Sequence, residues 1–251
     1  MAKIALVTGS SRGLGKNTAL ALAKKGVDII VTYHSNLEEA NKVVSAIEEM
    51  GAKAKALQLD SSNTKTFDGF REQVKQLLKD KWQTENFDYL VNNAGFGIHA
   101  SFADTTEDDF DQLMNTHVKG VFFLTQKLLP LINDGGRIIN ISSGLARFTL
   151  PGYAAYATMK GAVEVLSRYM AKELGQRQIT VNVVAPGAIE TDFAGGAVRD
   201  NPDVNSFIAS QTALGRVGVP DDIGGAIAAL LSEENRWVNA QRIEVSGGQS
   251  I

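Results

Sequence analysis

Ile4-Ala5-Leu6-Val7-Thr8-Gly9-Ser10-Ser11-Arg12-Gly13-Leu14-Gly15 is the stretch that decides the fold. Four apolar residues give way to a turn holding three glycines, and the turn runs into a helix that begins near Leu14. Each glycine has a use if the turn holds a pyrophosphate. Gly9 permits the tight turn, Gly13 lets backbone approach phosphate without a Cβ in the way, and Gly15 allows close packing of the helix. The helix start supplies N–H groups that have no partner in the chain, with Ser11, Arg12 and Leu14 around them. A turn of this kind can also do no more than connect strand to helix, so the remaining motifs carry the weight.

The same unit recurs along the chain. Short apolar runs at Lys3–Val7, Asp28–Thr32, Ala54–Leu59, Tyr89–Asn92, Arg137–Ile141, Thr180–Ala185 and Arg242–Val245 are each followed by a turn and, in most cases, a stretch with helical spacing. Continuous rather than alternating apolar character marks strands buried on both faces, the condition of a parallel sheet covered by helices. Gly26 closes the first helix, Ser35 with Glu38 resembles a capping box opening the second, and Gly51 closes that one. There is no internal repeat and no linker. The expected fold is therefore α/β: a single doubly wound Rossmann fold over residues 1–251, with a seven-stranded parallel sheet flanked by helices.

Composition narrows the partners. Across 251 residues the formal net charge is -3, which gives no broad attraction to nucleic acid or anionic lipid, so a small-molecule partner is expected. The chain contains no cysteine, which excludes disulfides and thiolate catalysis. Met1-Ala2-Lys3 leads straight into a run too short for a signal peptide or a membrane span, and a cytoplasmic location is the default expectation. None of the three histidines is paired with metal-ligand spacing, so no metal is expected.

Several positions at the ends of the runs suit a dinucleotide. The second run ends Thr32-Tyr33-His34-Ser35-Asn36, with no carboxylate where an NAD-binding chain would hold the ribose 2′-hydroxyl. Arg12 lies in the glycine turn facing that region, and His34, Ser35 and Asn36 surround it, so NADP(H) is favoured over NAD(H). Asp60, before Ser61, can accept from an adenine amino group or simply shape a turn. Asn92-Asn93-Ala94-Gly95 can approach the adenosine ribose and tie neighbouring strands together.

The reactive groups come later. Tyr156 and Lys160 fall in a helical segment running to about Leu174 and stand one turn apart on one face. A phenol with an ordinary pKa of ~10 is a poor acid or base at neutral pH, whereas a neighbouring ammonium stabilises the phenolate. Thirteen positions before Tyr156 stands Ser143, just past the run ending at Ile141, where its hydroxyl can hold a substrate oxygen; Ser142 is its neighbouring rival.

Taken together, the glycine turn, Asn92–Gly95, Ser143, Tyr156 with Lys160, and Pro186-Gly187-Ala188-Ile189-Glu190-Thr191 make the chain resemble the short-chain dehydrogenase/reductase family from Lys3 to Gly248. Within that family it looks like 3-oxoacyl reductases and related sugar or alcohol dehydrogenases. The resemblance implies reduction of a ketone, aldehyde or 3-oxoacyl carbonyl to an alcohol with NADPH. It casts Tyr156 as proton donor or acceptor and Ser143 as the group orienting the carbonyl. Lys160 would lower the Tyr156 pKa and bind the nicotinamide ribose, and Pro186, Gly187, Ile189 and Thr191 would lie against the cofactor. The stretch at about 190–215 would form a mobile substrate lid. Homotetramers are also implied, built through the helices over Asp109–Leu131 and Tyr153–Leu174 and the C-terminal strand, with Val121, Phe122, Val163 and Leu166 buried in core or interface.

One position departs from the family pattern. Three residues before Gly120, where the family carries an asparagine in its proton relay, this chain has His117. Neutral histidine offers one donor and one acceptor, enough to replace the amide, and its ordinary pKa of ~6.5 leads to the expectation of an activity limb on the acid side of neutrality. An NAD-linked alcohol or sugar dehydrogenase and a non-catalytic NADP(H)-binding regulator are the competing functions, and the intact Ser143, Tyr156 and Lys160 weigh against the regulator.

Overall fold

Alternation along each strand, one residue to either face, explains why the apolar runs are unbroken. In the computed structural model, which describes residues 2–251, Ile4 and Leu6 enter the apolar core on one face of the sheet while Ala5 and Val7 enter the core on the other. The next strand repeats this, with Ile30 on the first side and Ile29 and Val31 on the second. With both faces covered, polar residues inside a strand would be stranded without water, so they collect at the strand ends.

The strands are β1 (Ile4–Val7), β2 (Asp28–Tyr33), β3 (Ala54–Gln58), β4 (Phe87–Asn92), β5 (Ile132–Ile141), β6 (Thr180–Pro186) and β7 (Arg242–Val245). All pair in parallel, in the order β3-β2-β1-β4-β5-β6-β7. Helices α1 (Gly13–Ala23), α2 (Leu37–Glu49) and, near the C-terminus, α9 (Pro220–Leu230) cover one face, contributing Leu22, Val43 and Ile227 to its core. The other face is covered by α3 (Phe67–Leu77), by α4 (Glu107–Met114) with α5 (Val121–Leu128), and by α6 (Ala154–Glu173), where Phe70, Leu124 and Ala171 are buried. Two short helices, α7 (Ala197–Asp200) and α8 (Pro202–Ser210), stand between β6 and α9.

Boundaries moved where polar residues hid strand structure. β4 starts two residues before the apolar run and β5 starts at Ile132, because Phe87 and Ile132 pair ahead of an irregular stretch. The polar Asp88 is tolerated there because its carboxylate accepts from the Ile4 amide (2.9 Å), Lys3 (2.9 Å) and Asn133 (3.1 Å). The second helix is capped by Asn36, whose side chain accepts from the Glu39 amide at 3.0 Å, and not by the Ser35–Glu38 box.

Strand order reverses between β1 and β4: from β1 the chain builds outward through β2 to β3, then returns to lay β4 on β1's other side. A crevice opens at the carboxyl ends of strands flanking such a reversal. Both the glycine turn after β1 and the Asn92–Gly95 stretch after β4 come to this edge. Behind it, a buried relay locks the strands to α6: Asn92 donates to Thr125 (3.0 Å) and Asn140 (2.8 Å), Asn140 to Ser167 (2.8 Å), and Ser167 to the Val163 carbonyl (2.7 Å).

Candidate active site

Thr8 begins the site. Its hydroxyl accepts from the amides of Asn93 and Ala94, both at 2.9 Å, and the Asn93 carboxamide donates back to the Thr8 carbonyl at 2.8 Å. The β1 and β4 loops are thus latched together. Gly9 lies in the left-handed region (φ 63°), and a Cβ there would come 2.9 Å from the Ala94 Cα, so no other residue allows this approach. A Cβ on Gly15 would run into the Gly9 carbonyl, which is why α1 can start so close to the sheet.

Arg12 is extended at the start of α1 and its side chain makes no capping bond, leaving the first turn of the helix, which lines the cavity, without a side-chain cap. A Cβ on Gly13, also left-handed (φ 55°), would meet nothing within 4 Å. Next to this cradle stand Arg12, His34, Ser35 and Asn36, and among the described residues Arg12 has no ion partner. Asp60 accepts from the amide (2.9 Å) and hydroxyl (2.7 Å) of Ser62 and lies 3.8 Å from His34. Burial would raise its carboxyl, but those hydrogen bonds and His34 hold it below the usual range. Glu39 also lines this end; Lys42, at 2.7 Å, pairs with it and lowers its pKa.

At the other end, Tyr156 sits in the first turn of α6 and Lys160 one turn on, both nearly inaccessible. Lys160 Nζ donates to the Ile141 carbonyl at 2.8 Å and stands 5.4 Å from the Tyr156 ring centre. Ser143 follows β5 and caps a short 3-10 turn, its Oγ accepting from the Leu145 amide at 3.2 Å. Ser142 is otherwise engaged, donating to Glu164 at 2.7 Å. Burial raises the Tyr156 phenol well above its ordinary pKa, with the Ser143 hydroxyl acting the other way. Lys160 is pushed down to about 7, also by burial. The expected depression of the Tyr156 pKa by Lys160 is not found: burial raises the phenol, and Lys160 Nζ gives its hydrogen bond to the Ile141 carbonyl.

His117 lies in a π-helical turn, Asn115–Gly120, between α4 and α5. Its Nε2 is 2.8 Å from the Phe96 carbonyl, so the proton resides on Nε2 and Nδ1 is a bare acceptor, buried and without a partner among the described residues. The ring meets Tyr156 edge to face at 5.3 Å. Burial, reinforced by Lys160 and opposed by the Phe96 bond, brings its pKa down to about 3. This corrects the expected titration near neutrality: a buried imidazole beside an ammonium stays neutral.

These groups share one cavity of about 1190 Å³. Of the residues singled out in the sequence, Gly9, Ser11, Arg12, Gly13, Leu14, His34, Ser35, Asn36, Asp60, Ser61, Ala94, Gly95, His117, Ser143, Tyr156, Lys160, Pro186, Gly187, Ile189 and Thr191 line it. Gly15 and Asn92 do not; the first serves packing and the second the buried relay behind the edge. Phe193, Phe207 and Ile208 of the 190–215 stretch line it too, and the Phe193 ring lies 5.6 Å from that of Tyr156. Asn93, read in the sequence only as part of the Asn92–Gly95 stretch, lines the cavity as well. Sequence reasoning missed Gln249 and Ser250, which no local signal marks.

The chain is similar to known proteins. A family model described as enoyl-(acyl carrier protein) reductase matches residues 9–250. Tetrahydroxynaphthalene reductase PfmaG of Pestalotiopsis fici is 37% identical over 257 residues, covering 98% of this chain and 91% of that one. Among solved structures, the promiscuous reductase LugOII, which catalyses keto-reduction at C1 during lugdunomycin biosynthesis, superposes with a TM-score of 0.94 at 38% identity. It covers 99% of this chain and 98% of its own. The angucycline C-6 ketoreductase LanV, solved with bound NADP, gives 0.93 at 35% identity, covering 99% and 95%. The chain belongs to the short-chain dehydrogenase/reductase family and is an oxidoreductase of that class. Among the described residues no helix is long and apolar enough to cross a membrane.

The depressed His117 pKa has a measurable consequence. Between pH 6.5 and about 3 the unfolded chain takes up a proton at this position and the folded one does not, so stability falls as pH falls through that window. The slope from this residue reaches about 1.4 kcal/mol per pH unit. In urea titrations at pH 7, 6 and 5, His117→Asn should lose less stability on acidification than the wild type. Equal losses in the two proteins would mean that His117 titrates normally when folded.

Proposed function

We propose that the protein reduces a ketone carried on a fused aromatic ring, using NADPH. The observation that supports this most directly is the convergence of Ser143, Tyr156 and Lys160 on one cavity whose far end holds Arg12, with the Glu39 carboxylate there paired to Lys42. That end fits the cofactor by its donor chemistry. The uncapped start of α1 and the open space at Gly13 suit a pyrophosphate, and Arg12 with Ser35 and Asn36 suits a 2′-phosphate. Lys160 would hold the nicotinamide ribose. When bound, the reduced nicotinamide supplies hydride to the carbonyl carbon.

The chain's own part is to place and protonate the oxygen. Ser143 Oγ donates to the carbonyl oxygen and polarises it, and the Tyr156 phenol delivers its proton as negative charge develops there. A phenol whose pKa is raised by burial remains protonated across the working pH range, which is the form a reductase needs at the start of each turnover. Neutral His117 can accept through Nδ1 at the same end of the cavity.

The substrate's shape is suggested by the walls. Phe96, Phe148, Leu150, Tyr153, Phe193 and Phe207 line the cavity, flat apolar surfaces that suit stacked rings. Relatives named for hydroxynaphthalene and angucycline reduction support the same class. Assembly as a homotetramer is part of the proposal, supported by Phe122, Phe123, Val165 and Tyr169, which are exposed on α5 and α6 although apolar. Sedimentation at micromolar concentration should give four chains, and a monomer would refute it.

Two variants test the chemistry and the cofactor. With 1-tetralone as substrate, Tyr156→Phe should lower turnover by about 10²–10⁴-fold while NADPH still binds, as read by fluorescence. Wild-type turnover in this variant would remove Tyr156 from the acid role. Arg12→Ala should raise the KM for NADPH far more than that for NADH, since a lost charged hydrogen bond costs about 1.5–3 kcal/mol. An unchanged NADPH preference would assign the 2′-phosphate to other residues.

A further inference from the structure

Behind Ser143, the last residues of the chain form a junction that the chemistry above does not use. Gln249 is buried, yet it touches three segments of the site. Its side-chain Oε1 accepts from the Ala188 amide at 2.8 Å, just past β6. Gly187 makes room for it, since a Cβ at that position would lie 2.8 Å from Gln249 Oε1 and 2.9 Å from the Ser246 Cβ. Because the Ala188 N–H can only donate, the amide orientation of Gln249 is fixed.

The backbone on either side of the same residue binds the 190–215 stretch, the lid of this reading. Thr212 and Gln249 form an antiparallel bridge, flanked by Ala213 N–H to the Gly248 carbonyl (3.2 Å), Leu214 N–H to the Gly247 carbonyl (3.1 Å) and Ser250 N–H to the Gln211 carbonyl (2.8 Å). The third contact reaches the Ser143 loop. Arg147 donates to the carbonyls of Gln249 (2.8 Å) and Ser250 (3.1 Å) while forking onto Glu244 at 2.7 and 2.8 Å. Arg147 belongs to the turn that Ser143 caps, its own amide donating to the Gly144 carbonyl at 2.8 Å.

A second arginine holds the same loop from β7. Arg242 donates to the Ser143 carbonyl at 3.2 Å, to Glu164 at 2.7 Å and to Glu244 at 2.8 Å. Glu244 thus anchors both arginines. Its carboxyl is brought down to about 2, foremost by Arg147, so the anchor is ionised at any working pH.

We propose that Ser246–Ser250 is a strap joining the Ser143 loop, the Ala188 loop and the lid into one unit, with Gln249 and Arg147 as its positioning residues. Movement of the Gln211–Leu214 end of the lid is then transmitted to Ser143 and to the Ala188 side of the cavity. The lid cannot swing away from the strap without breaking three backbone hydrogen bonds, so the strap moves with it or holds it shut. This rests on the ketoreductase reading for its effect on rate, but the linkage of the three segments is independent of it.

The test uses Gln249→Met, which keeps the size and removes the acceptor, and Gln249→Glu, which restores one. Arg147→Lys, which keeps the charge and loses the fork, serves if the first fails to fold. Gln249→Met should lower kcat for 1-tetralone about tenfold or more, in line with the cost of misplacing a reacting group, with a smaller change in KM. Gln249→Glu should recover most of that loss, and a merely structural role would leave kcat per folded molecule unaltered in both. Amide hydrogen exchange gives the readout that does not depend on turnover. In Gln249→Met the amides of Ala188, of Ala213 and Leu214, and of the 144–148 turn should all exchange faster. Faster exchange at Ala188 alone would overturn the strap and leave Gln249 as a local cap. Wild-type kcat with wild-type exchange would overturn it as well. If the wild-type enzyme reduces no ketone, the ketoreductase reading fails by itself, and the exchange result still decides the strap.

Discussion

Burial of the sheet on both faces is the constraint from which the rest follows. A strand with no solvent face has nowhere to put a polar side chain except its ends, and in a parallel sheet all the carboxyl ends lie along one edge. Seven segments therefore deliver their polar residues to the same place, and the reversal of strand order between β1 and β4 opens the crevice there. The exceptions inside the strands are held by hydrogen bonds. Asn92 and Asn140 form a buried relay with Ser167 of α6, and Asp88 accepts from three donors. Removing one member of such a set would leave its partner unsatisfied, which costs more than the bond itself is worth.

That constraint also explains what could be read in the sequence. Double burial writes itself as unbroken apolar runs, so the strands and their parallel arrangement were legible, and glycines spaced over seven residues identified the turn. Tyr156 and Lys160 were legible because one helix turn places them together. Strand starts at Phe87 and Ile132 were not, because the flanking polar residues are satisfied by partners far along the chain. Asn92 and Asn93 could not be separated by pattern alone. Alternation sends neighbours to opposite sides, and only the fold reveals that Asn92 faces the relay and Asn93 the latch with Thr8. Gln249 and Ser250 had no signal at all, since their partners lie at Arg147, Ala188 and Gln211–Thr212, brought to them by tertiary structure.

Electrostatics were the least legible of all. From spacing, an ammonium beside a phenol suggests a phenolate, and a histidine suggests a switch near neutrality. In the folded chain all three groups are buried together, and desolvation governs each of them: the phenol rises, the ammonium falls to about 7 and the imidazole to about 3. Spacing reports which groups can interact, whereas the sign of the result depends on how much water remains, and a sequence does not carry that quantity.

His117, standing where the family resemblance implies an asparagine, acquires a definite sense in this light. An asparagine side chain carries both donor and acceptor but can turn over, exchanging them at little cost, so its orientation follows its surroundings. His117 cannot exchange roles in that way. Donation from Nε2 to the Phe96 carbonyl at 2.8 Å fixes the tautomer, and the low pKa removes the alternative of a second proton. What remains is a single lone pair on Nδ1 in a buried position, able to receive a hydrogen bond but never to give one. The Phe96 carbonyl belongs to the loop that follows Asn93, so the same bond that sets the tautomer also holds that loop against the π-helical turn. The histidine therefore couples the geometry of the β4 loop to the polarity of the site, a coupling that a freely turning amide would not enforce.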